Sequence, residues 1–300
     1  QVMGISPLDE EVEAVTRLRP GHADMPGVIK YGFDDIRPII ERASARDTAS
    51  RVAAGAVARR FLEEFGVEIY SCTVAIGRQR AKVGDVINWE KVELSPVRCP
   101  DARAEKAMLV AIDEAKAAGD SVGGIFEVVA SGVPIGLGSH VHWDRRLDGS
   151  IARAMMSINA VKGVEIGLGF AAAGLPGSRV HDVIEPATSG EQLWRHATNR
   201  AGGIEGGMSN GEPIVVRAAV KPIPTLGHPL PSVDLRTSEA VEAHIERSDV
   251  CVVPAAGVIG EAMLALVLAS SMLEKFGGDS MRETLCNYQN YLDSIKPQHM

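Results

Sequence analysis

Three hundred residues, 45% hydrophobic and 23% charged, suffice for one large domain or two ordinary ones with a substantial core, which excludes a disordered chain. A net charge of -8, a pI near 5.6 and an aromatic content of 4% argue against a nucleic-acid partner, whose phosphates need a basic surface and whose bases stack on aromatic rings. A membrane partner is not expected either: the apolar run from Ala262 to Leu273 is short and is followed by Glu274 and Lys275, and no signal peptide opens the chain.

In chain order, residues 1–17 read as a short acidic helix capped by Ser6 or Asp9. In RPGHADMPG, at 19–27, two prolines and two glycines interrupt regular structure, so this stretch reads as a loop presenting His22. Asp34 or Asp35 then caps a long helix from Ile36 to Phe65, with Pro38 tolerated in its first turn. Gly66 ends it, and VEIYSCTVAIG is a strand by its β-branched content. Residues 78–102 carry no clear pattern. A helix follows from Asp101 to Ala118, stopped by Gly119, and GGIFEVVASGVPIGLGSHVHW is a long strand or a hairpin broken at Gly132–Pro134. A further helix spans Leu147 to Val161 and is ended by Gly163. Beyond a polar loop at 170–200 come a glycine-rich stretch, the strand IVVRAAVK, a helix near Ser238–Glu246 and SDVCVVPA as a buried strand. An apolar helix closed by the pair Gly277–Gly278 and a polar helical tail complete the chain. Helices and strands interleave throughout, which indicates an α/β or α+β body. The tetrapeptides GVEI at 66–69 and 163–166, and IGLG at 135–138 and 166–169, fit an internal duplication and chance equally.

The chemistry-bearing residues concentrate between Leu18 and Phe61. From Arg17 to Arg60 nine Lys/Arg face five Asp/Glu, a local +4 in an acidic chain. Such an island suits an anionic small molecule; the bland alternative is a solvated helix laced with ion pairs. The small residues Ser44, Ala45, Ala49, Ser50, Ala53, Ala54, Gly55 and Ala56 would let another backbone or a flat ligand come close. The five glycines from Gly202 to Gly211 form either a ligand cradle or a tight loop system, and neither standard nucleotide-binding pattern is present. Lys221 in KPIPT is an anion contact or a surface lysine, and Arg247 with Asp249 is a functional pair or a structural one. Cys72, Cys99, Cys251 and Cys286 lack C-x-x-C spacing and read as reduced thiols of a cytoplasmic-type compartment. His140 and His142, two apart on the expected strand, do not complete a metal set, and no metal is expected.

Taken together, RPGHAD at 19–24, KYGFDDIRP at 30–38, ERASARDTASRVAAGAVA at 41–58, NRAGGIEGGMSNGEPI at 199–214, KPIPT at 221–225 and RSDVCVVPAAGVIGEAM at 247–263 resemble the chorismate synthase family, in the family's order and over essentially the whole chain. The resemblance implies an α/β fold of the α+β type: a single domain built as a β-α-β sandwich, with helices packed between antiparallel sheets, assembled as a homotetramer. It implies a lyase that removes phosphate and a ring proton from 5-enolpyruvylshikimate 3-phosphate by anti-1,4 elimination, with reduced FMN as cofactor. By matching motif positions, Arg19, Arg37 and Arg46 resemble the substrate-anion cluster, His22 the proton donor near the flavin, and Asp249 the carboxylate of proton removal. Ala43, Ser44, Ala45, Asn159, Ala160, Gly206, Lys221, Pro222, Ile223, Pro224, Thr225 and Arg247 resemble the FMN contacts. The expectation is that the Leu18–Phe61 stretch and the loops at 199–225 and 247–257 close over cofactor and substrate. An NADPH-dependent flavin reductase activity, known in some members, has no nicotinamide fingerprint here. The family's N-terminal Gly-x-Ser-His-Gly motif has no counterpart in this chain. The competing expectation is therefore a truncated, non-catalytic relative that keeps flavin or anion binding and oligomer contacts.

Overall fold

The computed structural model describes residues 14–43, 45–84, 86–186 and 194–296, without the side chains of Ala45 and Arg46. The helices are α1 (Asp24–Tyr31), α2 (Arg37–Arg42), α3 (Ala45–Glu63), α4 (Trp89–Leu94), α5 (Ala102–Ala117), α6 (Leu147–Met156), α7 (Val253–Phe276) and α8 (Met281–Ser294). The strands are β1 (Glu68–Ile76), β2 (Gln79–Arg80), β3 (Gly124–Ser131), β4 (Val161–Ile166), β5 (Ile184–Pro186), β6 (Trp194–His196), β7 (Ile204–Glu205), β8 (Met208–Ser209), β9 (Ile214–Val220), β10 (Pro231–Val233) and β11 (Ala240–Glu242). They fall into two compact units: residues 1–46 with 224–248, and residues 47–223 with 249–300.

The first unit is small. Leu18, Val28, Ile36, Ile39 and Ile40 form its core, with Val15, Ala23 and Leu235 packed against them. The β10–β11 hairpin completes it, tied to the incoming chain by the Leu18 N–H donating to Val233 O and by Ser232 Oγ donating to Leu18 O at 2.6 Å. Asp234 organises the hairpin turn, accepting from the N–H groups of Arg236 and Thr237 and from Thr16 Oγ1. A helix at Ser238–Glu246 is therefore not formed. Ser238 takes a left-handed φ of 61° in the turn, and Ala240–Glu242 then alternates exposed and half-buried as a strand must.

Two further corrections belong here. The RPGHADMPG loop ends at Asp24, because Pro26 falls in the first turn of α1, where its missing N–H costs nothing. The single helix expected from Ile36 to Phe65 is two, α2 ending at a C-cap on Ala43, whose N–H donates to Ile39 O. Asp35 does cap α2 in effect, its Oδ1 accepting from the N–H of Arg37 at 3.0 Å. The expected opening helix lies mostly at 1–13, outside the described residues, and residues 14–17 are not helical.

The second unit carries an antiparallel sheet of order β2-β1-β3-β9-β4. One face is apolar. Phe126 and Val128 of β3, Ile214, Val216, Ala218 and Val220 of β9, and Ile69 of β1 pack with α5, α6 and α7 into one core. Alternation fixes this: along β9 every second side chain is buried. Helix α7 comes close because Gly257 and Gly260 face the sheet; a Cβ on Gly260 would lie 2.7 Å from Phe126 Cε2 and 2.9 Å from Val128 Cγ2. By length and composition α7 could span a membrane, but here it is the core helix of this unit. On the opposite face α4 and Trp89 cover Cys72 and Val74.

The α+β class and the antiparallel pairing expected from sequence are observed, and a second large sheet is not among the described residues. Strands β1 and β4 flank the central β3–β9 pair, yet GVEI lies at the start of β1 and at the end of β4, so the repeated tetrapeptides are not equivalent positions. Gly163 sits inside β4 and does not end α6, and β3 stops at Ser131, leaving His140 and His142 exposed on bends rather than on a strand. SDVCVVPA is not a strand either; no described strand pairs with it, its Val250 carbonyl accepts from the Val122 N–H at 2.9 Å, and it runs directly into α7, whose first turn takes Pro254.

Candidate active site

In the first unit the chemistry gathers around one buried carboxylate. Asp24, fully buried at the start of α1, accepts from Arg19 three times: from Nε at 2.9 Å, Nη2 at 3.0 Å and the backbone N–H at 3.1 Å. His22 Nδ1 lies 2.5 Å from Asp24 Oδ1. Burial works against ionisation of Asp24, but hydrogen bonds from His22 and Arg19, with their charges, outweigh it and hold the carboxyl well below the usual carboxylate range. Arg19 is itself buried; its Nη1 donates to Glu246 Oε2 at 3.0 Å and reaches Thr225 Oγ1 at 3.4 Å. Its fork is thus used within the chain. The imidazole of His22, by contrast, is partly exposed.

Beside this cluster a concavity of roughly 600 Å³ opens between α1 and α2, within the range of small-ligand sites. Lys30 and Arg42 supply its charge, Tyr31 and Phe33 its stacked aromatic wall, and Ala43 one edge. Arg37 is half-buried and paired with Asp35 at 2.9 Å. Ser44 and the side chains of Ala45 and Arg46 lie outside the described residues.

In the second unit, two stretches far apart in sequence meet at one end of the sheet. Ala160 adopts a left-handed φ of 67°, and its carbonyl accepts from the Lys221 N–H at 2.9 Å. The register puts Val220 between Gly124 and Val161, so Ala160 and Lys221 emerge side by side. Ser121 Oγ donates to Ile223 O at 2.6 Å and fixes the segment that follows. Burial, and then the neighbouring charge of Lys162, lower the pKa of the Lys221 ammonium. Asn159 is exposed next to Ala160.

Gly206 is not part of this cluster. It is in the β7–β8 turn with φ 58°, followed by Gly207, whose carbonyl accepts from the N–H of Leu147 at the start of α6. The whole of α6, roughly 15 Å at 1.5 Å per residue, runs between that end and Ala160. The glycine-rich stretch is thus a hairpin and its flanking turns. Asp249 and Arg247 are both exposed, in the segment leading into α7.

The chorismate synthase sequence profile matches residues 8–273, nearly all of the described chain. The chain belongs to the chorismate synthase family. A chorismate synthase of Moorella thermoacetica is 55% identical over 301 residues, covering 98% of this chain and 78% of the relative. One of Desulforudis audaxviator is 58% identical over 285 residues, covering 94% and 73%. A crystal structure of a chorismate synthase superposes with a TM-score of 0.78 at 47% identity, covering 90% of this chain and 76% of that one. The sequence singled out His22 and Arg19 in one stretch, and the structure brings the two side chains together, whereas Asp24, Glu246 and Lys162 carried no such mark. Asp24 lies two residues from His22 in RPGHAD, and only its burial distinguishes it from the exposed aspartate Asp34.

Proposed function

We propose that this chain is a lyase that converts 5-enolpyruvylshikimate 3-phosphate to chorismate, the last common step towards the aromatic amino acids, with reduced FMN bound. The observation that carries the reading is the 55% identity to the Moorella chorismate synthase across 98% of the chain. The residues present suit a flavin phosphate. Lys221 is half-buried and feels the charge of the exposed Lys162, and a bound anion would favour its charged form.

In the second unit Asn159, Ala160, Gly206, Lys221, Pro222 and Ile223 are assigned to the cofactor, Gly206 by family position alone. In the first unit Ala43, Ser44, Ala45, Pro224, Thr225 and Arg247 are assigned to it on the same ground. When bound, the reduced flavin supplies transient electron density to a reaction without net redox change. Arg37 and Arg46 hold substrate anions, since a guanidinium fork matches a carboxylate or phosphate edge. Arg19, with most of its donors already engaged within the chain, holds Asp24 in place and adds positive potential. His22 holds a proton and gives it up, as an imidazole within reach of the reacting group can. Asp249, exposed and acceptor-only when ionised, receives the proton that the substrate ring loses. A homotetramer and a cytoplasmic location belong to the same proposal; the four cysteines are all free thiols.

The test is an anaerobic assay with chemically reduced FMN and enolpyruvylshikimate phosphate, following chorismate. Turnover is expected. A folded chain that binds FMN and substrate but makes no chorismate would sink the reading.

A further inference from the structure

His22 Nδ1 has two polar neighbours, Asp24 Oδ1 at 2.5 Å and Arg19 Nη2 at 3.0 Å. A neutral imidazole cannot serve both: Nδ1 either carries a hydrogen and donates, or lacks one and accepts. Two features decide between them. A contact of 2.5 Å to a carboxylate oxygen needs a hydrogen between the atoms, and Asp24 is ionised and acceptor-only. Arg19 Nη2 is also 3.4 Å from Nε2 of the same ring. A donor in line with the Nδ1 lone pair would stand well clear of Nε2. Nη2 therefore lies against the ring, and its directed hydrogen bond goes to Asp24 Oδ1 at 3.0 Å.

We propose that Asp24 is a positioning residue that fixes His22 as the Nδ1–H tautomer, leaving Nε2 as the atom that takes up and releases the proton. This rests on the reading of His22 as the proton donor. Arg19 makes the arrangement rigid. Its Nε and backbone N–H both bind Asp24 Oδ2, and its Nη1 is anchored on Glu246, so the carboxylate cannot rotate away from the ring. The side chain of Asp24 is fully buried while that of His22 keeps 14% of its surface exposed, so the ring, unlike the carboxylate that orients it, can be reached from outside. An aspartate orienting a histidine in this way acts through the ring and never touches substrate.

The experiment is a two-bond 15N–1H correlation spectrum of the histidine-labelled chain, with the His22 signals assigned by their loss in His22→Gln. At a pH where the ring is neutral, the Nδ1–H tautomer is expected, and it should be lost in Asp24→Ala. A wild-type His22 in the Nε2–H form, with Nδ1 accepting from Arg19, would overturn the proposal, and this holds even if Asp24→Ala does not fold. Where that variant folds, kcat should drop roughly 10²-fold with KM little changed. A rise in KM alone would overturn the proposal, because it would make Asp24 part of binding. The underlying reading has its own test. If the tautomer is fixed as expected but His22→Gln turns over at the wild-type rate, His22 is not the donor, and Asp24 remains the group that orients the ring.

Discussion

Lys221 and Glu127 show how single charges in the second unit respond to burial in opposite ways. Lys221 loses proton affinity through burial and the nearby Lys162, so any anion that binds there restores it. Lys221→Ala should therefore weaken FMN binding about tenfold, the effect of one charge-assisted contact to phosphate, while leaving the thermal transition unchanged. Fluorescence titration checks it, and an unaltered FMN affinity would remove Lys221 from the cofactor set. Glu127, buried beside Cys72 on the face of β3 opposite the main core, is raised by burial, only partly offset by Arg217 at 3.9 Å. Its folded pKa lies above the unfolded value, so its contribution to stability is fully present below about 4.5 and is lost as pH rises through the folded pKa. Glu127→Gln should gain about 1 kcal/mol at pH 7 relative to its effect at pH 4. Urea denaturation at the two pH values decides, and a loss at pH 7 would mean the Arg217 contact outweighs desolvation. Neither behaviour is readable from sequence: Lys221 is marked only by the prolines that follow it, and Glu127 stands in an apolar strand without a mark of its partner. Burial and cross-strand neighbours make both groups unusual, and these are properties of the fold.

At the scale of elements, α3 and α7 meet through Gly55. A Cβ there would sit 2.4 Å from Ala262 Cβ and 2.6 Å from its Cα. The small-residue run in α3, open in sequence to a backbone or a ligand, is at this position met by a backbone. Helix propensity alone would make Gly55→Ala stabilising by about 1 kcal/mol. The overlap is with main chain, which cannot step aside, and overpacking of this kind costs about 1–3 kcal/mol or more. The expected outcome is net destabilisation, seen as a lower urea midpoint; a higher one would mean that α3 shifts freely on α7. What the sequence conveyed about elements follows the same division. The glycine stop after α5, the β-branched run of β1 and the glycine pair after α7 are local signals, and each marked its element. The Ser238–Glu246 helix is not formed because the Asp234 turn and pairing with β10 override the local helical tendency. The long helix through Ala43 failed because Ala43 has high helix propensity and marks no break. Of the candidate site, RPGHAD and KPIPT were legible as motifs, whereas the pairing of Ala160 with Lys221 depends on sheet register.

On the scale of the whole molecule, each unit is stabilised by different forces, and acid should affect them differently. The second unit rests on the apolar layer between its sheet and α5, α6 and α7, which does not titrate. The first has a core of a few side chains and relies on Asp24, Asp35 and Asp234, all held below the usual carboxylate range. For Asp24 and Asp35 burial opposes this, and hydrogen bonds from His22 and Arg19, or from Arg37, prevail. For Asp234 the bonds from Thr16, Thr237 and Arg236 lead. A depressed folded pKa gives stability that is present above the unfolded value, near 3.8 for these aspartates, and lost as pH falls below it towards the folded pKa. The second unit has lowered carboxylates too, Asp101 and Asp182, but they cap a helix and a loop rather than its core, and Glu127 works in the other direction. Hydrogen exchange, corrected for intrinsic rates, should therefore show the amides of Val28, Ile39 and Ile40 losing protection between pH 5 and pH 3, as the carboxylates begin to protonate. Those of Val128 in β3 and Val216 in β9 should keep theirs. Asp24→Asn should bring the same loss in the first unit already at pH 7, because buried Arg19 would lose its buried counter-charge and keep only the half-exposed Glu246. Simultaneous loss in both units at acid pH would mean that the carboxylates are not what holds the first one, and that its small apolar core suffices.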